Sequence, residues 1–430
     1  MKIKYIYLII VSMIALNINA QSCNGRYQTE IFTNINVSTV NYGLADGQTL
    51  QMDIYQAEED TAANRPDRPV IIFCFGGSFL VGSRTSPEIV AFATDFAKRG
   101  YVTASIDYRL ASSLFALLQE ENIVKTVFKA VQDGKAAIRY FRKDARFGNA
   151  LGIDSNQIFI GGTSAGGILG MNLAYADDTS EIPSNQKVWL EEIGGMEGNS
   201  GNPGYCSKPA GVFGFAGAVA DTAYLDETDV PFYGCHATGD QTVLYDYGPP
   251  INPAIPVSLY GSGNLETRMN NLGIYNVLDT YSGSDHPPLG GGNYTITLNN
   301  FSNFLFNILD CNPNNEKKID QKKCEIKSAP TDSTNTDTTT IDTTNVSIFS
   351  LQEENVVLVY PNPVENVLYL KSDLNIDAVQ IVDVLARVVY KQNIEAKTET
   401  QINVSAFDKG IFYLKIKVDG KWFTEKIYLK

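Results

Sequence analysis

Between Cys23 and about Lys327, apolar runs of strand length alternate with stretches of helical periodicity, and this alternation limits the fold more than any other feature. Val70–Phe75 is apolar at every position, as a strand buried on both faces must be. Pro87–Lys98 then carries Ile89, Phe92 and Phe96 at helical spacing and stops at Gly100. Tyr101–Ile106 is a second apolar run. Strand, helix, strand in that order implies a parallel, right-handed crossover. The long amphipathic stretch Val124–Phe147 leads to a third run at Gln157–Ile160, and Gly211–Val219, Pro231–Cys235 and Tyr275–Tyr281 continue the series. The expected fold class is α/β, a mostly parallel sheet with helices on both faces.

Composition changes near Ser328. Through about Asn345 the chain is mostly Thr, Asp, Ser and Asn, which bury too little to repay ordering and so predict a flexible tether. Beyond it, short β-branched and aromatic runs at Val356–Tyr360, Val367–Leu370, Val379–Val382, Val388–Tyr390, Ile411–Val418 and Phe423–Leu429 predict a small all-β sandwich. At the other end, Met1-Lys2-Ile3-Lys4, the apolar run Tyr5–Leu16 and Asn17-Ile18-Asn19-Ala20 have the layout of a secretory signal cut after Ala20. The run is shorter than the ~20 residues of a spanning helix. An uncleaved anchor is one rival. A lipoprotein signal ending at Cys23 is the other, but the residue three places earlier is Ala20 rather than a branched apolar one. No later segment is long and apolar enough to cross a membrane. The expected organisation is a signal peptide at 1–20, an α/β domain at 21–327, a linker at 328–350 and an all-β domain at 351–430.

The third run is followed at once by Gly162-Thr163-Ser164-Ala165-Gly166 and an apolar helix start. Strand, tight glycine turn and helix is the context of a nucleophile elbow, which holds its Ser strained at the sheet edge beside a helix N-terminus. Phe73-Cys74-Phe75-Gly76-Gly77-Ser78-Phe79 opens a second glycine-rich loop after the first strand. Backbone N–H groups of Gly77 and Ser78 can join that of Ala165 around an oxyanion. A Ser nucleophile needs a base and an orienting acid, in the chain order Ser, acid, His. His286 satisfies that order. Asp240, on the loop after the 231–235 run, is the candidate acid, with Asp246 as main rival and Asp226 and Asp229 as weaker ones. His236 precedes the acid and reads as a loop-stabilising residue. Asp107 and Arg109, in Asp107-Tyr108-Arg109-Leu110, read as structural ion-pair formers rather than catalysts.

Charge and composition remove other classes. Lys plus Arg number 34 and Asp plus Glu 48, a net −14, which argues against nucleic-acid binding. Only 2 His and no Cys-x-x-Cys spacing leave no metal site and no cofactor to expect. Export through an oxidising compartment makes disulfides expected among Cys23, Cys206, Cys311 and Cys324, with Cys311–Cys324 as the shortest closure. Cys74 and Cys235 read as buried strand residues, inert and free.

The middle segment, roughly residues 35 to 310, resembles the α/β-hydrolase esterases, nearest the carboxylesterase, hormone-sensitive-lipase-like and acetylxylan/feruloyl esterase group. The shared residues are Gly76-Gly77-Ser78-Phe79, Asp107-Tyr108-Arg109-Leu110, Gly162-Thr163-Ser164-Ala165-Gly166-Gly167, Asp240 and His286. The family usually has His-Gly-Gly-Gly where this chain has Phe75-Gly76-Gly77-Ser78. The last ~80 residues resemble the C-terminal sorting domain of type IX secretion, through Val359-Tyr360-Pro361-Asn362-Pro363, Lys409-Gly410-Ile411-Phe412-Tyr413 and a terminal Lys-containing strand. Together the resemblances imply a serine esterase carried by the type IX machinery through the periplasm and outer membrane to the surface or medium. Its substrate would be a carboxylic ester, one alcohol being a plant polysaccharide. A serine peptidase of the same fold, a lipase or polyester depolymerase, and a non-catalytic binding protein are the rival functions. With about a dozen residues between Val219 and Pro231, no helical cap fits there. Cover could come only from Ser112–Leu118, an apolar flap or else a helix packed on the core, and from the glycine-rich loop around Gly194–Gly204. The expected site is therefore open, with little apolar lining, and suits short acyl esters (C2 to about C4) or aryl acids on glycans.

Overall fold

The computed structural model describes residues 23, 25–63, 65, 67–250, 255–312, 315, 347–350 and 356–430, apart from 361, 363, 384–386 and 419. The expected signal peptide, the linker as far as residue 346 and Cys324 lie outside the described residues. The chain forms two compact units, an α/β unit and, after about residue 325, an all-β unit.

Eight strands make the main sheet of the α/β unit: β1 (Ile35–Ala45), β2 (Gln48–Ala57), β3 (Arg68–Cys74), β4 (Val102–Ile106), β5 (Ile153–Thr163), β6 (Gly211–Phe215), β8 (Phe232–Ala237) and β11 (Asn276–Tyr281). Their order is β1-β2-β4-β3-β5-β6-β8-β11. β2 runs antiparallel to β1 and β4, and the remaining neighbours are parallel. This bears out the expected α/β-hydrolase fold. The hairpin β1–β2 had no apolar run to announce it, because β1 is an edge strand with mostly exposed side chains. Gly211–Val219, expected as one strand, is two. The backbone turns left-handed at Ala216 (φ +56°), and Ala218–Val219 (β7) leaves the main sheet. It pairs instead with Leu259–Gly261 (β10), which pairs in turn with Tyr247–Gly248 (β9).

Six helices cover the sheet: α1 (Pro87–Ala97), α2 (Glu120–Arg146), α3 (Ala165–Tyr175), α4 (Ser184–Glu192), α5 (Ser262–Leu272) and α6 (Asn293–Ile308). α1 buries Ile89, Phe92 and Phe96, the residues that predicted it. Phe96 meets Phe301 of α6 edge-on at 5.0 Å, and Phe301 lies 4.6 Å from Phe213 of β6, so an aromatic layer joins two helices to the sheet. α2 packs on α3 so closely that a Cβ at Gly134 would stand 2.9 Å from the Leu169 and Leu173 side chains.

The all-β unit is one branched antiparallel sheet of β12 (Ser347–Ser350), β13 (Val356–Tyr360), β14 (Val367–Val382), β15 (Val388–Asn403), β16 (Gly410–Val418) and β17 (Lys421–Leu429). β14 changes partner midway, from β13 to β16, while β15 follows its other edge. Val357, Leu368, Ile381, Leu414 and Ile427 share its core. Ser347–Ser350, which composition grouped with the linker, pairs with β13.

One disulfide joins Cys23 to Cys311, so Cys311 is not paired with Cys324. The stretch after Cys23 is laid across the unit by hydrogen bonds from Tyr27 N–H to Arg99 O and from Ser302 Oγ of α6 to Tyr27 O. Spatial proximity, not shortness of closure, selects the partner. Cys206 is also disulfide-bonded. Cys74 and Cys235 are free and buried, as expected, and burial pushes both thiols up, out of reach of the reactive thiolate form. The Cys23–Cys311 bond spans a sequence separation of 288. Chain-entropy arguments give closures of this kind about 3–5 kcal/mol. Cys311→Ser should therefore lower the melting temperature by several degrees in non-reducing calorimetry; an unchanged Tm would show that the bond adds nothing to the native state.

Candidate active site

β5 ends at Thr163 and α3 begins at Ala165, leaving Ser164 alone on the turn with φ +54°. A left-handed backbone is unusual for Ser, and it is held here from both sides. Ser164 N–H donates to Phe215 O at 2.8 Å, and Ser164 O accepts the first helical bond, from Ile168 N–H, at 2.9 Å. The two flanking glycines are dictated by space. A Cβ at Gly162 would lie 1.8 Å, and one at Gly166 2.1 Å, from the carbonyl oxygen of Cys74 on β3. The end of β3 is thus pressed against both arms of the turn, and only glycine admits it.

The structure brings together three of the expected site residues. Ser164 Oγ and His286 Nε2 are 2.7 Å apart, and His286 Nδ1 and Asp240 Oδ2 are 2.6 Å apart. Ser164 lies at the end of β5, Asp240 follows β8 and His286 follows β11, so all three sit at the carboxyl ends of parallel strands. His286 is 14% exposed and Asp240 is fully buried, which leaves the imidazole within reach of solvent and its partner shielded. Asp240 Oδ1 accepts N–H groups of Thr242 (2.7 Å) and Val243 (3.1 Å), closing a tight turn. Burial alone would raise the Asp240 carboxyl. Contacts from His236 and His286 and the Thr242 N–H outweigh it and hold the carboxyl well below the usual carboxylate range.

The rival acids are elsewhere. Asp246 is exposed. Asp226 Oδ1 accepts the N–H and hydroxyl of Thr228, and Asp229 Oδ2 accepts Asp226 N–H. Burial pushes Asp229 up to about 7. His236, with no exposed surface, sits behind Asp240. Its Nε2 donates to Val243 O at 2.9 Å and stands 3.4 Å from Asp240 Oδ2, while its Nδ1 lies 2.9 Å from Ser262 Oγ. It holds the loop that carries Asp240, in line with the loop-stabilising reading; the sequence did not disclose that it also approaches the carboxylate.

On the opposite side of Ser164 the glycine-rich loop turns through three positive φ angles, at Gly77 (+126°), Ser78 (+57°) and Phe79 (+56°). A Cβ at Gly77 would lie 2.0 Å from Val81 O. Leu80 and Val81 N–H groups both donate to Gly77 O. Asp107-Tyr108-Arg109 anchors this loop. Tyr108 Oη donates to Phe75 O at 2.7 Å and its ring stacks on Phe75 at 4.2 Å, while Ala111 N–H donates to Phe79 O. Asp107 is paired with Arg84, and Arg109 with Asp133 and Asp46, so both are ion-paired but not to each other. Ala165, as the first residue of α3, has an N–H with no acceptor inside the helix. Ser78 and Ala165 line the cavity beside Ser164, and Gly77 lies outside that lining.

That cavity measures about 340 Å³. As expected, only a 3₁₀ turn, Thr222–Tyr224, occupies the connection after β7. The expected lack of apolar lining, however, does not hold. Leu117, Ile123, Val127, Phe128, Ile168 and Val257 are among the walls. Cover comes from the start of α2 with the turn before it and from the stretch after Val243, segments far apart in sequence. Of the two covering segments expected, the Ser112–Leu118 stretch contributes Leu117 and the loop around Gly194–Gly204 contributes nothing to the lining. The stretch after Val243 was not foreseen.

Two family models match the chain. Residues 52–197 match the family model BD-FAE, and residues 358–430 match that of the Secretion system C-terminal sorting domain. The chain is similar to carboxylesterase 3B of Mus musculus, 35% identical over 121 residues, which are 28% of this chain and 19% of the mouse protein. It therefore spans about a fifth of that relative's length. Among solved structures, it is similar to the native form of the thermophilic esterase Est2 of Thermogutta terrifontis, with 22% identity and a TM-score of 0.47 over 65% of this chain and 95% of that one. The butyrate-bound form of the same esterase gives 22% and 0.47 over 64% and 96%. The resemblance of the middle segment to esterases and of the last segment to the sorting domain is borne out.

The glycine contacts at the turn make a direct prediction. Overpacking against backbone costs about 1–3 kcal/mol or more, so Gly162→Ala and Gly166→Ala should each lower Tm by about 5 °C or fail to fold. A thermal melt of either variant that overlays the wild type would disprove the close approach.

Proposed function

We propose that the α/β unit hydrolyses carboxylic esters through an acyl-enzyme on Ser164, and that the all-β unit directs its export. The observation that carries the first reading is the continuous chain from Ser164 Oγ through the His286 imidazole to Asp240, at 2.7 and 2.6 Å. Ser164 Oγ attacks the carbonyl carbon while His286 Nε2 takes its proton. Asp240 accepts from His286 Nδ1, which fixes the tautomer and favours the imidazolium that forms. The negative charge moves to the carbonyl oxygen, which the N–H groups of Ala165, Ser78 and Gly77 receive. Each such donor is worth ~3 kcal/mol in the transition state. The carbon–oxygen bond to the alcohol breaks and His286 returns the proton to the leaving oxygen. Water then repeats the cycle, attacking the acyl carbon while His286 takes its proton, and Ser164 is restored with release of the acid.

The alcohol leaves beside His286, on a loop whose residues 282–285 are exposed. That exposure supports alcohols as large as a polysaccharide. Ser164→Ala and His286→Ala should abolish most turnover of p-nitrophenyl esters while the protein stays folded by circular dichroism. Asp240→Asn should lower kcat by up to ~10⁴, whereas Asp246→Asn should leave it within twofold of wild type. The reverse outcome for the two Asp variants would reassign the acid.

The match of residues 358–430 supports export by the type IX route, through periplasm and outer membrane, with residues 21–327 as the catalytic domain, 328–350 as the linker and 351–430 as the sorting domain. A chain ending before Ser328 should retain esterase activity and remain in the periplasm when expressed in a type IX-competent host. Its appearance in the medium at the full-length level would exclude the sorting role.

A further inference from the structure

We infer that the cavity beside Ser164 is the acyl-side pocket and that it takes an aliphatic acyl chain longer than butyryl. This inference rests on the ester-hydrolase reading above and names its substrate class. Which half of the ester the cavity serves follows from the proton path. The leaving oxygen must come within hydrogen-bond reach of His286 Nε2, so the alcohol lies on the His286 side. The cavity is lined by Ser164 and by Ser78 and Ala165, which carry two of the oxyanion-side amides, but by neither His286 nor any residue of its loop. A group seated there is attached to the carbonyl carbon on the side away from the leaving oxygen.

The chemistry of the walls selects the acyl group. Ile168 continues from the nucleophile turn, Leu117, Ile123 and Val127 come from the start of α2 and the turn before it, and Val257 comes from the stretch after Val243. Two polar side chains in the lining are already engaged with backbone. Asn172 Nδ2 donates to Ile168 O (2.8 Å) and Ala218 O (3.3 Å), and its Oδ1 accepts Ala220 N–H (3.0 Å). Asp221 Oδ1 accepts Ala223 N–H (2.9 Å). Glu120 and Ser258 are exposed, so they lie at the rim. Ser78, Gln186, Tyr224 and the second oxygen of Asp221 are the remaining polar features of walls that are otherwise apolar. Methylenes are therefore matched over more of the surface than a phenolic or hydroxylated acyl group would be. At about 340 Å³ the space is far larger than an acetyl group needs.

The test is the series of p-nitrophenyl acetate, butyrate, hexanoate and octanoate, with methyl ferulate as the aryl comparison. A fully buried methylene is worth at most about fourfold in kcat/KM. We expect kcat/KM to rise at least tenfold from acetate to hexanoate and to exceed that for methyl ferulate. Val127→Trp, which fills the pocket, should lower the octanoate-to-acetate ratio of kcat/KM at least tenfold, and Val127→Ala should raise it or move the optimum to a longer chain. A maximum at acetate or butyrate, a preference for methyl ferulate, or a ratio unmoved in the folded variants would overturn the proposal while leaving the esterase reading in place. If Val127→Trp does not fold, the wild-type series and Val127→Ala decide. Absence of turnover on every ester, with no labelling of Ser164 by a fluorophosphonate, would instead overturn the esterase reading itself.

Discussion

The carbonyl oxygen of Cys74 lies where two side chains would otherwise be. Gly162 and Gly166 leave that space empty, and the end of β3 fills it. From this contact follow the sharp turn between β5 and α3, the left-handed backbone at Ser164 and the direction of its hydroxyl. The same approach brings the loop after β3 alongside the helix start, so that Ser78 and Ala165 face one cavity with Ser164. Close packing of backbone on backbone leaves no room to relax, and this is how a strained residue is kept in place. The buried aromatic layer of Phe73, Phe96, Phe213 and Phe301 supplies the rigid sheet on which that contact depends.

The acid side of the site is organised by hydrogen bonds rather than by contact. Asp240 sits in a turn of its own making, with Thr242 and Val243 N–H groups on one oxygen and His286 on the other. A buried carboxylate is costly unless its oxygens are satisfied, and here both are. His236 ties the far end of the same turn to β8 through Val243 O and to α5 through Ser262. Its complete burial removes it from contact with substrate, which separates the duties of the two histidines without ambiguity.

Much of this was legible before any coordinates. The inner parallel strands left apolar runs, because a strand covered on both faces has no polar side to show, whereas β11 at the sheet edge mixes Asn276, Asp279 and Thr280 with its apolar residues. Ser164, Asp240 and His286 each follow one of these strands, and their order along the chain singled out His286 from two histidines. The hairpin β1–β2 left a weaker trace, since an edge strand exposes most of its side chains. The break at Ala216 left none, because a single left-handed Ala has no signature in composition. The cavity walls were equally hidden. Leu117 belonged to a stretch that could be read as flap or as core, nothing marked Ile123 or Val257, and only folding shows that all three face the same empty space as Ser164.

The chain by itself determined the alternation of the inner strands with the first helices, the nucleophile turn, the candidate acid and base, and the change of composition that separates the two units. These are local properties: periodicity, glycine at a fixed offset, and the position of a polar residue after an apolar run. The tertiary structure alone decided which cysteine Cys23 meets, which carbonyl excludes side chains at Gly162 and Gly166, and what encloses the site on its acyl side. Each of those depends on segments up to 288 residues apart, and sequence distance carries no information about which surfaces will touch once the core has closed.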